Sequence, residues 1–283
     1  MRDRGWCRQL RGELLKMFAR KRTYIGFGTF LAVEILILGL LTLPKAQQAF
    51  DRLMRNNGLR FEDGYTGLTL ALFIVIFTFV LRGLYVALVG GDLMAKEIED
   101  GTIRLVLARP VSRAQLFWVK ATANVIHTFV LMFFIGFSSL LAAVLYRRGF
   151  GNLVACAPHE GVFAVMSTAT GLWRYARGVF VMAVAFQSIG ALGLMFSCCK
   201  MRPATATVLT LSVLFVDFVV ANIPYFAPFQ KCFLTYHLTI WLQTFQDIVP
   251  WTQVAASLAL LFGLTTTFWI VGVATFCTRD IKT

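Results

Sequence analysis

The chain has 283 residues, of which 58% are hydrophobic and only 14% are charged. A soluble domain of this length carries about a quarter charged residues, so the composition excludes a sizeable soluble domain. Apolar segments of about 18 or more residues recur along the chain, and each is long enough to cross a hydrocarbon core of ~30 Å. The composition therefore predicts a multi-pass membrane protein.

The net charge of +13 does not indicate a nucleic-acid partner. Eight of the 27 basic residues lie within the first 22 positions, and most of the others flank apolar segments. Basic residues next to spans are what the positive-inside rule predicts, and they also attract anionic lipid headgroups. The charge is therefore interpreted as a mark of topology and of contact with membrane lipids.

Residues 5–22 have apolar side chains at helical spacing and basic side chains on the other faces. This pattern predicts an amphipathic helix that lies on the inner leaflet. A basic flank that only orients the first span remains an alternative. The apolar positions are Trp6, Leu10, Leu14, Met17 and Phe18.

Six hydrophobic stretches predict six transmembrane helices in an all-α fold. The loops between them are short, so residues 1–283 are predicted to form a single transmembrane domain. The predicted spans are residues 24–43, 68–89, 122–146, 179–196, 204–222 and 254–276.

A further apolar stretch lies between the last two spans and is interrupted by Pro224, Pro228 and Pro250. Its helical part, about residues 231–245, would be ~22 Å long at 1.5 Å per residue, which is short for a full crossing. The stretch is therefore predicted to be a re-entrant or interfacial segment on the outer side.

Basic residues are distributed unequally between the two sides of this topology. The segments placed inside hold 17 Lys and Arg residues and those placed outside hold 9. The positive-inside rule then predicts that both termini are cytoplasmic, in a bacterial-type cytoplasmic (inner) membrane.

The six cysteines and three histidines show no metal-ligand spacing, so no metal or other cofactor is predicted to bind this chain. Cys156 and Cys232 both fall outside in the predicted topology. A disulfide between them is left open, beside the alternative that the cysteines act as small apolar residues.

The stretch from Gly90 to Lys120 is the only long polar run between spans that has internal order. Acidic residues come first, a Gly-Thr break follows, and basic residues come last. Gly101 is predicted to end a short helix in the left-handed conformation. Ser112 and Gln115 form a capping-box pattern that predicts the start of the next span. The acidic residues are Asp92, Glu97, Glu99 and Asp100, and the basic ones are Arg104, Arg109, Arg113 and Lys120.

This stretch resembles the first cytoplasmic loop of ATP-binding-cassette (ABC) exporter permeases of the type-2 class. The resemblance rests on Glu97-x-x-x-Gly101-Thr102, Leu105, the run from Arg109 to Arg113, and Lys120. It implies a coupling helix within residues 92–113 that docks on a separate ABC ATPase subunit. It also implies that the permease works as a dimer, either with a second copy or with a sister permease. Charged residues that merely mark a cytoplasmic loop are the plainer alternative.

The resemblance assigns roles to the loop residues. Asp92, Glu97, Glu99 and Asp100 are assigned to ATPase coupling, the last three as acceptors for basic residues of the ATPase. Gly101 and Thr102 would set the bend. Arg109 and Arg113 would anchor the loop to ATPase or lipid, and Lys120 would hold its helix at the interface. The chain has no G-x-x-x-x-G-K-[ST] motif, so ATP and Mg²⁺ are expected on the partner and the chain is not expected to be an enzyme.

Three ionisable residues fall within the predicted spans, where an unpaired charge is costly. Glu34 and Asp217 are candidates for a translocation pathway, with structural pairing as the alternative. Arg82 is predicted to extend its side chain toward the inner headgroups. An ion-coupled secondary transporter or channel that uses Glu34, Arg82 and Asp217 is one rival function. A membrane anchor of a metalloenzyme maturation complex is another.

Overall fold

The computed structural model describes residues 2–19, 21–56, 65–103, 112–157 and 160–278. These residues form a mostly helical protein with one β-hairpin. The helices are α1 (Arg2–Ala19), α2 (Lys21–Leu40), α3 (Pro44–Asn56), α4 (Gly67–Phe77), α5 (Phe79–Glu99), α6 (Arg113–Arg147), α7 (Thr168–Ala185), α8 (Gln187–Cys198), α9 (Pro203–Ala221), α10 (Leu234–Leu238) and α11 (Trp251–Thr278). The hairpin consists of β1 (Leu153–Ala157) and β2 (Val162–Met166).

Five helical segments of the described chain are long and apolar enough to cross a membrane, and a bent pair of helices makes a sixth. The prediction of a multi-pass helical membrane protein is therefore confirmed. The helix α6 has 35 residues, and the span made of α7 and α8 has 31 residues, so both are longer than predicted. The segments are Thr23–Leu40, Arg113–Arg147, Thr168–Cys198, Pro203–Ala221 and Trp251–Thr278, and the pair is Gly67–Phe77 with Phe79–Glu99.

The second span is broken at Thr78 rather than continuous as predicted. Its halves α4 and α5 meet at an angle of 53°. The Thr78 hydroxyl donates to the carbonyl oxygens of Ile74 and Val75, at 3.0 and 3.1 Å. Hydroxyl groups that bond back to carbonyls of the preceding turn favour a bend, because they compete with the helical N–H groups.

The mostly helical fold agrees with the all-α prediction, which did not include the antiparallel hairpin of β1 and β2 in the loop after the third span. In β2, Val162, Ala164 and Met166 are buried while the two residues between them are exposed. This period of two is the strand pattern. A helix, α3, occupies part of the loop after the first span. No disulfide joins the two described cysteines Cys156 and Cys232.

The segment between α9 and α11 is divided into short pieces rather than one helix over residues 231–245. A 3₁₀ helix covers Pro224–Cys232, α10 follows, and a second 3₁₀ helix covers Ile240–Phe245. Trp241 and Phe245 are buried in the main core, so these pieces pack against the bundle. Their depth in the bilayer stays a prediction.

The main hydrophobic core runs through the bundle, and a smaller cluster marks one of its ends. The smaller one joins Met17 of α1, Met94 of α5, Phe117 of α6, Leu194 of α8 and Phe276 of α11. We call this end, with α1, residues 92–103, residues 112–120 and the end of α11, the terminal face. The other end carries α3, the β-hairpin and residues 223–250, and we call it the hairpin face.

Candidate functional site

The acidic residues of the predicted coupling loop lie at the end of a membrane helix. The helix α5 continues to Glu99, so the prediction of a separate short helix before Gly101 is wrong. Residues 92–99 contain no helix-breaking residue, and the apolar period of the span simply runs on. Gly90 and Gly91 are needed for packing, because a Cβ on them would lie 2.7 Å from the carbonyl oxygen of Gly190 and 2.6 Å from Oγ1 of Thr207.

The turn after α5 has the predicted geometry. Gly101 has φ +69°, the left-handed conformation that closes a helix. The side chain of Thr102 donates to the carbonyl oxygen of Glu97 at 3.3 Å. Glu99, Asp100, Gly101 and Thr102 are all exposed, so this turn presents two carboxylates to the outside of the terminal face.

The other half of the loop is described only from Ser112 onward, so Arg104 and Arg109 lie outside the described residues. The Ser112 hydroxyl accepts from the backbone N–H of Gln115 at 3.1 Å, which confirms the predicted cap of α6. The Gln115 side chain donates to Gln9 of α1 at 3.0 Å instead of completing the capping box. Arg113 donates to the backbone carbonyl oxygen of Cys277 at 3.1 Å and so connects α6 with the end of α11.

A buried ion cluster lies beneath the exposed turn. It consists of Glu13 and Lys16 of α1, Glu97 of α5 and Lys120 of α6. Lys120 Nζ lies 2.9 Å from Glu13 Oε2 and 2.8 Å from Glu97 Oε2. Lys16 Nζ lies 3.1 Å from Glu13 Oε1 and 3.6 Å from Glu97 Oε1. Two carboxylates and two ammonium groups therefore tie three helices together.

Burial decides which of the predicted coupling residues can meet a partner in this conformation. Lys120 is 1% exposed, Glu97 4% and Asp92 5%. The prediction that Glu97 offers its carboxylate at the surface therefore does not fit the structure. Lys120 lies inside the protein, and its position at the membrane interface stays a prediction. The apolar residues around them exclude water, and the two side chains pair with each other instead. Glu99 and Asp100 keep the predicted surface position.

The cluster shifts the pKa values of Glu13 and Lys16 in α1. Burial alone would favour the neutral acid at Glu13, but the ammonium groups of Lys120 and Lys16 outweigh it and hold the pKa of Glu13 below its ordinary value. Partial burial works against the charged form of Lys16, but Glu13 and Glu97 outweigh it and raise the pKa of that ammonium group. Glu13 and Lys16 are therefore both charged at neutral pH.

Sequence reasoning did not find Glu13 or Lys16 as members of this cluster. The signal available was the pair of opposite charges at i and i+3 on an otherwise apolar and basic helix. Ser197 was missed as well. Its hydroxyl accepts from the backbone N–H groups of Met94 and Ala95, at 2.9 and 2.8 Å, and joins α8 to α5.

Glu34 is buried between α2 and α6. Both Ser138 and Ser139 donate hydroxyl hydrogen bonds to its Oε1 atom, at 2.7 Å each. Glu34 is 1% exposed. This geometry favours the structural alternative, in which Glu34 holds two helices together, over an open pathway position.

Asp217 of α9 holds the start of α10. Its Oδ1 accepts from the backbone N–H of Leu234 at 3.1 Å, and its Oδ2 accepts from the backbone N–H and the hydroxyl of Thr235 at 2.7 and 2.6 Å. The carboxylate thus satisfies N–H groups that a helix start leaves without intrahelical partners. Asp217 attaches the broken segment 224–245 to the membrane helices.

The prediction that Arg82 reaches toward the inner headgroups is wrong. Arg82 is 0% exposed and turns back toward the break at Thr78. Its Nη2 donates to the carbonyl oxygen of Val75 at 2.6 Å and its Nε to that of Thr78 at 3.3 Å, while Nη1 contacts the sulfur of Met182. The guanidinium thus adds a charged donor to the carbonyl of Val75, which the Thr78 hydroxyl also reaches, and to the carbonyl of Thr78, which accepts the backbone N–H of Arg82 as well.

Together, the fold and these buried polar contacts define a multi-pass α-helical membrane protein that presents an acidic turn at one end. A family model for the ABC-2 family of transporter proteins matches residues 15–281. The chain therefore belongs to the ABC-2 transporter family, as the resemblance predicted, and the family places it as a membrane component of a transporter rather than as the ATPase. No curated protein matches the chain significantly.

Proposed function

We propose that this chain is the membrane-spanning permease subunit of an ATP-driven ABC exporter. Separate ABC ATPase subunits dock on the terminal face, which is cytoplasmic together with both termini. The permease works as a dimer, with a second copy or a sister permease, in a cytoplasmic membrane. Membership of the ABC-2 family supports the partnership with ABC ATPase subunits.

The observation that carries the proposal is the buried ion cluster directly beneath the exposed turn at residues 99–102. The turn offers carboxylates of Glu99 and Asp100 to basic side chains of a partner. The cluster connects the same end of α5 to α1 and α6 through Lys120. A force applied to the turn is therefore shared by three helices, which supports their movement as one rigid body.

The helix α5 transmits that movement toward the hairpin face. It runs unbroken for 21 residues, about 31 Å, from the break at Thr78 to the turn. Closure of the ATPase subunits on ATP would shift the turn, and α5 would act as a lever that changes the angle at Thr78. Hinges in such movements are positions where a helix ends and the backbone absorbs the change.

The rival ion-coupled mechanism has no comparable support. It requires Glu34, Arg82 and Asp217 to act along one ion path. Each of them instead makes its hydrogen bonds locally, Glu34 to α6, Arg82 to the break and Asp217 to α10. Within the described part of the chain, no ion pair joins any two of these three residues.

Copurification from the native membrane tests the proposal. The wild type is compared with Glu99→Lys/Asp100→Lys on the terminal face and with Asp247→Lys, an exposed carboxylate on the hairpin face, as the matched control. We expect an ABC ATPase with the wild type and the control and at least a tenfold loss with the double variant, since like charges would now face the partner. An undiminished ATPase with the double variant, or none with the wild type, would contradict the docking surface.

A further inference from the structure

A cavity of about 680 Å³ lies on the hairpin-face side of the break at Thr78. Its walls come from α4 and α5 on either side of the break, from the hairpin, from α9 and from the segment 224–242. This volume is within the range of sites that hold small organic molecules. Polar groups of Asn222, Gln230 and Tyr236 share the lining with aromatic rings.

Arg82 stands in the wall of this cavity as a buried cation without a carboxylate partner among the described residues. The rings of Phe186, Trp241 and Phe79 cover its guanidinium, with ring centres 5.2, 5.5 and 5.8 Å away. Ring faces and carbonyl oxygens stabilise the charge only partly, because they carry no full negative charge. The charge therefore acts on the cavity through these rings, so an anion placed there would be attracted and a cation would be repelled.

A second, apolar groove of about 250 Å³ adjoins the cavity. The two share Phe79, Phe218 and Thr235 in their walls, so they are neighbours separated by no more than these side chains. Leu211, Leu214 and other aliphatic or aromatic side chains of α5, α8, α9 and α10 line the groove. A molecule that fills both spaces must have a polar head and an apolar body.

Glu160 is the carboxylate among the described residues that line the cavity. It lies at the turn of the hairpin and is partly exposed to solvent, whereas Arg82 is fully buried. Water screens a charge in an exposed position much more than one in the interior. The field inside the cavity is therefore dominated by Arg82.

We propose that the cavity and the adjoining groove bind an anionic amphiphile, with the acidic head in the cavity, where the buried charge of Arg82 attracts it from behind the ring-lined wall, and the apolar chain along the groove. The inference rests on the proposed function only in naming this class as the transported substrate. Binding of the amphiphile by this chain does not require an ATPase. The site adjoins the break between α4 and α5, so a change of angle there would change the walls of the cavity.

Binding is measured on the full-length protein in zwitterionic nanodiscs without any ATPase. The probes are bromoundecanoate and bromoundecyltrimethylammonium, which share an undecyl chain and differ in the charge of the head. Their bromine quenches tryptophan fluorescence, and the signal from the cavity wall is read in a background that keeps Trp241 and replaces the other five tryptophans with Phe. We expect the anion to bind roughly tenfold more tightly or better. Equal binding, or preference for the cation, would overturn the proposal.

Variants at Arg82 test whether this residue causes the preference for the anionic probe over the cationic one. Arg82→Lys keeps the charge and should keep the preference for the anion, whereas Arg82→Met should bring the ratio of the two affinities close to one. An unchanged ratio in Arg82→Met would overturn the role of this residue.

Glu160→Gln should strengthen binding of the anion several-fold, and weaker binding would contradict the opposing role given to Glu160.

The groove is tested at Gly83, so the proposal stays testable if Arg82→Met does not fold. A Cβ at Gly83 would meet only Ile189 Cδ1, at an ordinary 3.8 Å, so Gly83→Val fits and narrows the groove. Both probes should then bind at least fivefold more weakly with an unchanged ratio. Gly263→Val, on an exposed helix position with no neighbour within 4 Å, is the matched control and should bind like the wild type.

Unchanged binding in Gly83→Val would remove the groove from the site. The two proposals also fail separately. An ATPase that copurifies with a chain that prefers the cation contradicts the ligand class alone. A preference for the anion in a chain that recovers no ATPase contradicts the permease function alone.

Discussion

Two long basic side chains are fully buried in the described structure, and their surroundings differ. Lys120 on the terminal face lies between two carboxylates, at 2.9 and 2.8 Å. Arg82, near the break in the second span, has carbonyl oxygens, a thioether and three aromatic rings around it. From Arg82, α5 runs another 15 residues to Glu97, a distance of about 22 Å.

This difference indicates that Lys120 has a structural role, whereas the charge of Arg82 can attract a ligand. Around Lys120 the charges of Glu13, Lys16 and Glu97 balance, so the cluster has no need of a further ion and serves to hold helices together. Around Arg82 the balance is left open, which favours an anion in the adjoining cavity. At one end of α5, Glu97 is paired with Lys120. Near the other end, Arg82 has no carboxylate partner among the described residues.

The largest effect is expected from Lys120→Met. This change leaves the carboxylates of Glu13 and Glu97 buried, with only the half-exposed ammonium of Lys16 beside them. Breaking a buried pair costs about 3–5 kcal/mol. We expect a corresponding loss of stability in a thermal unfolding measurement and faster amide exchange in α1. A loss below about 1 kcal/mol would show that Lys120 and Arg82 do not differ in this way.

A smaller loss is expected from Arg82→Met. Methionine keeps much of the apolar contact, and the change removes the charged donors to the carbonyls of Val75 and Thr78. Each carbonyl keeps one other donor, the Thr78 hydroxyl or the backbone N–H of residue 82, so the loss is that of a hydrogen bond to a charged group, about 1.5–3 kcal/mol. Thermal unfolding should therefore rank Arg82→Met between the wild type and Lys120→Met. The reverse ranking would contradict the view that Arg82 lacks a charged partner.

Asp217→Asn tests how Asp217 holds α10 on the hairpin face, a contact that involves neither Lys120 nor Arg82. Asparagine cannot accept on both sides, so one contact with Leu234 or Thr235 becomes unfavourable. Loss of such a cap costs about 1–2 kcal/mol, which corresponds to roughly 5–30-fold faster amide exchange in residues 234–245. Hydrogen exchange of α1 should not change. Asp247→Asn, an exposed neighbour, serves as the control and should exchange like the wild type.

The smallest effect is expected from Lys16→Met, since the side chain of Lys16 is 51% exposed. Pairs of this kind contribute at most about 1 kcal/mol. Unfolding of this variant should be close to that of the wild type. A loss of stability as large as that of Lys120→Met would show that Lys16, rather than Lys120, makes the main contribution to the cluster.

The cluster also predicts a pH profile. The pKa of Glu13 is below the ordinary value of 4.5 in the folded state, so its contribution is complete above that pH and is lost as pH falls through the folded value. The pKa of Lys16 is above its ordinary 10.5, so its small contribution is lost only as pH rises beyond that value. The stability difference between the wild type and Glu13→Gln should be constant near neutral pH and shrink below pH 4.5. Shrinkage beginning near pH 6 would contradict the lowered pKa.

Local signals and long-range contacts differ in how far the sequence predicts them. The spans, the left-handed Gly101 and the cap at Ser112 depend on residues close in the chain, and the structure agrees with them. The pairing of Lys120 with Glu13 joins residues 107 positions apart, and no local pattern selects one partner over another. The same holds for Asp217 and α10. Arg82 was misplaced because a broken helix inside the span offers it carbonyl groups that a continuous helix would not.

The most direct test of the permease function is site-specific photocrosslinking in the native membrane. A photoreactive amino acid is placed at Thr102, on the exposed turn of the terminal face, and separately at Ile248, which is 88% exposed on the hairpin face. We expect Thr102 to give an adduct with an ABC ATPase subunit and Ile248 to give none. No ATPase adduct from Thr102, or equal adducts from both positions, would contradict docking on the terminal face.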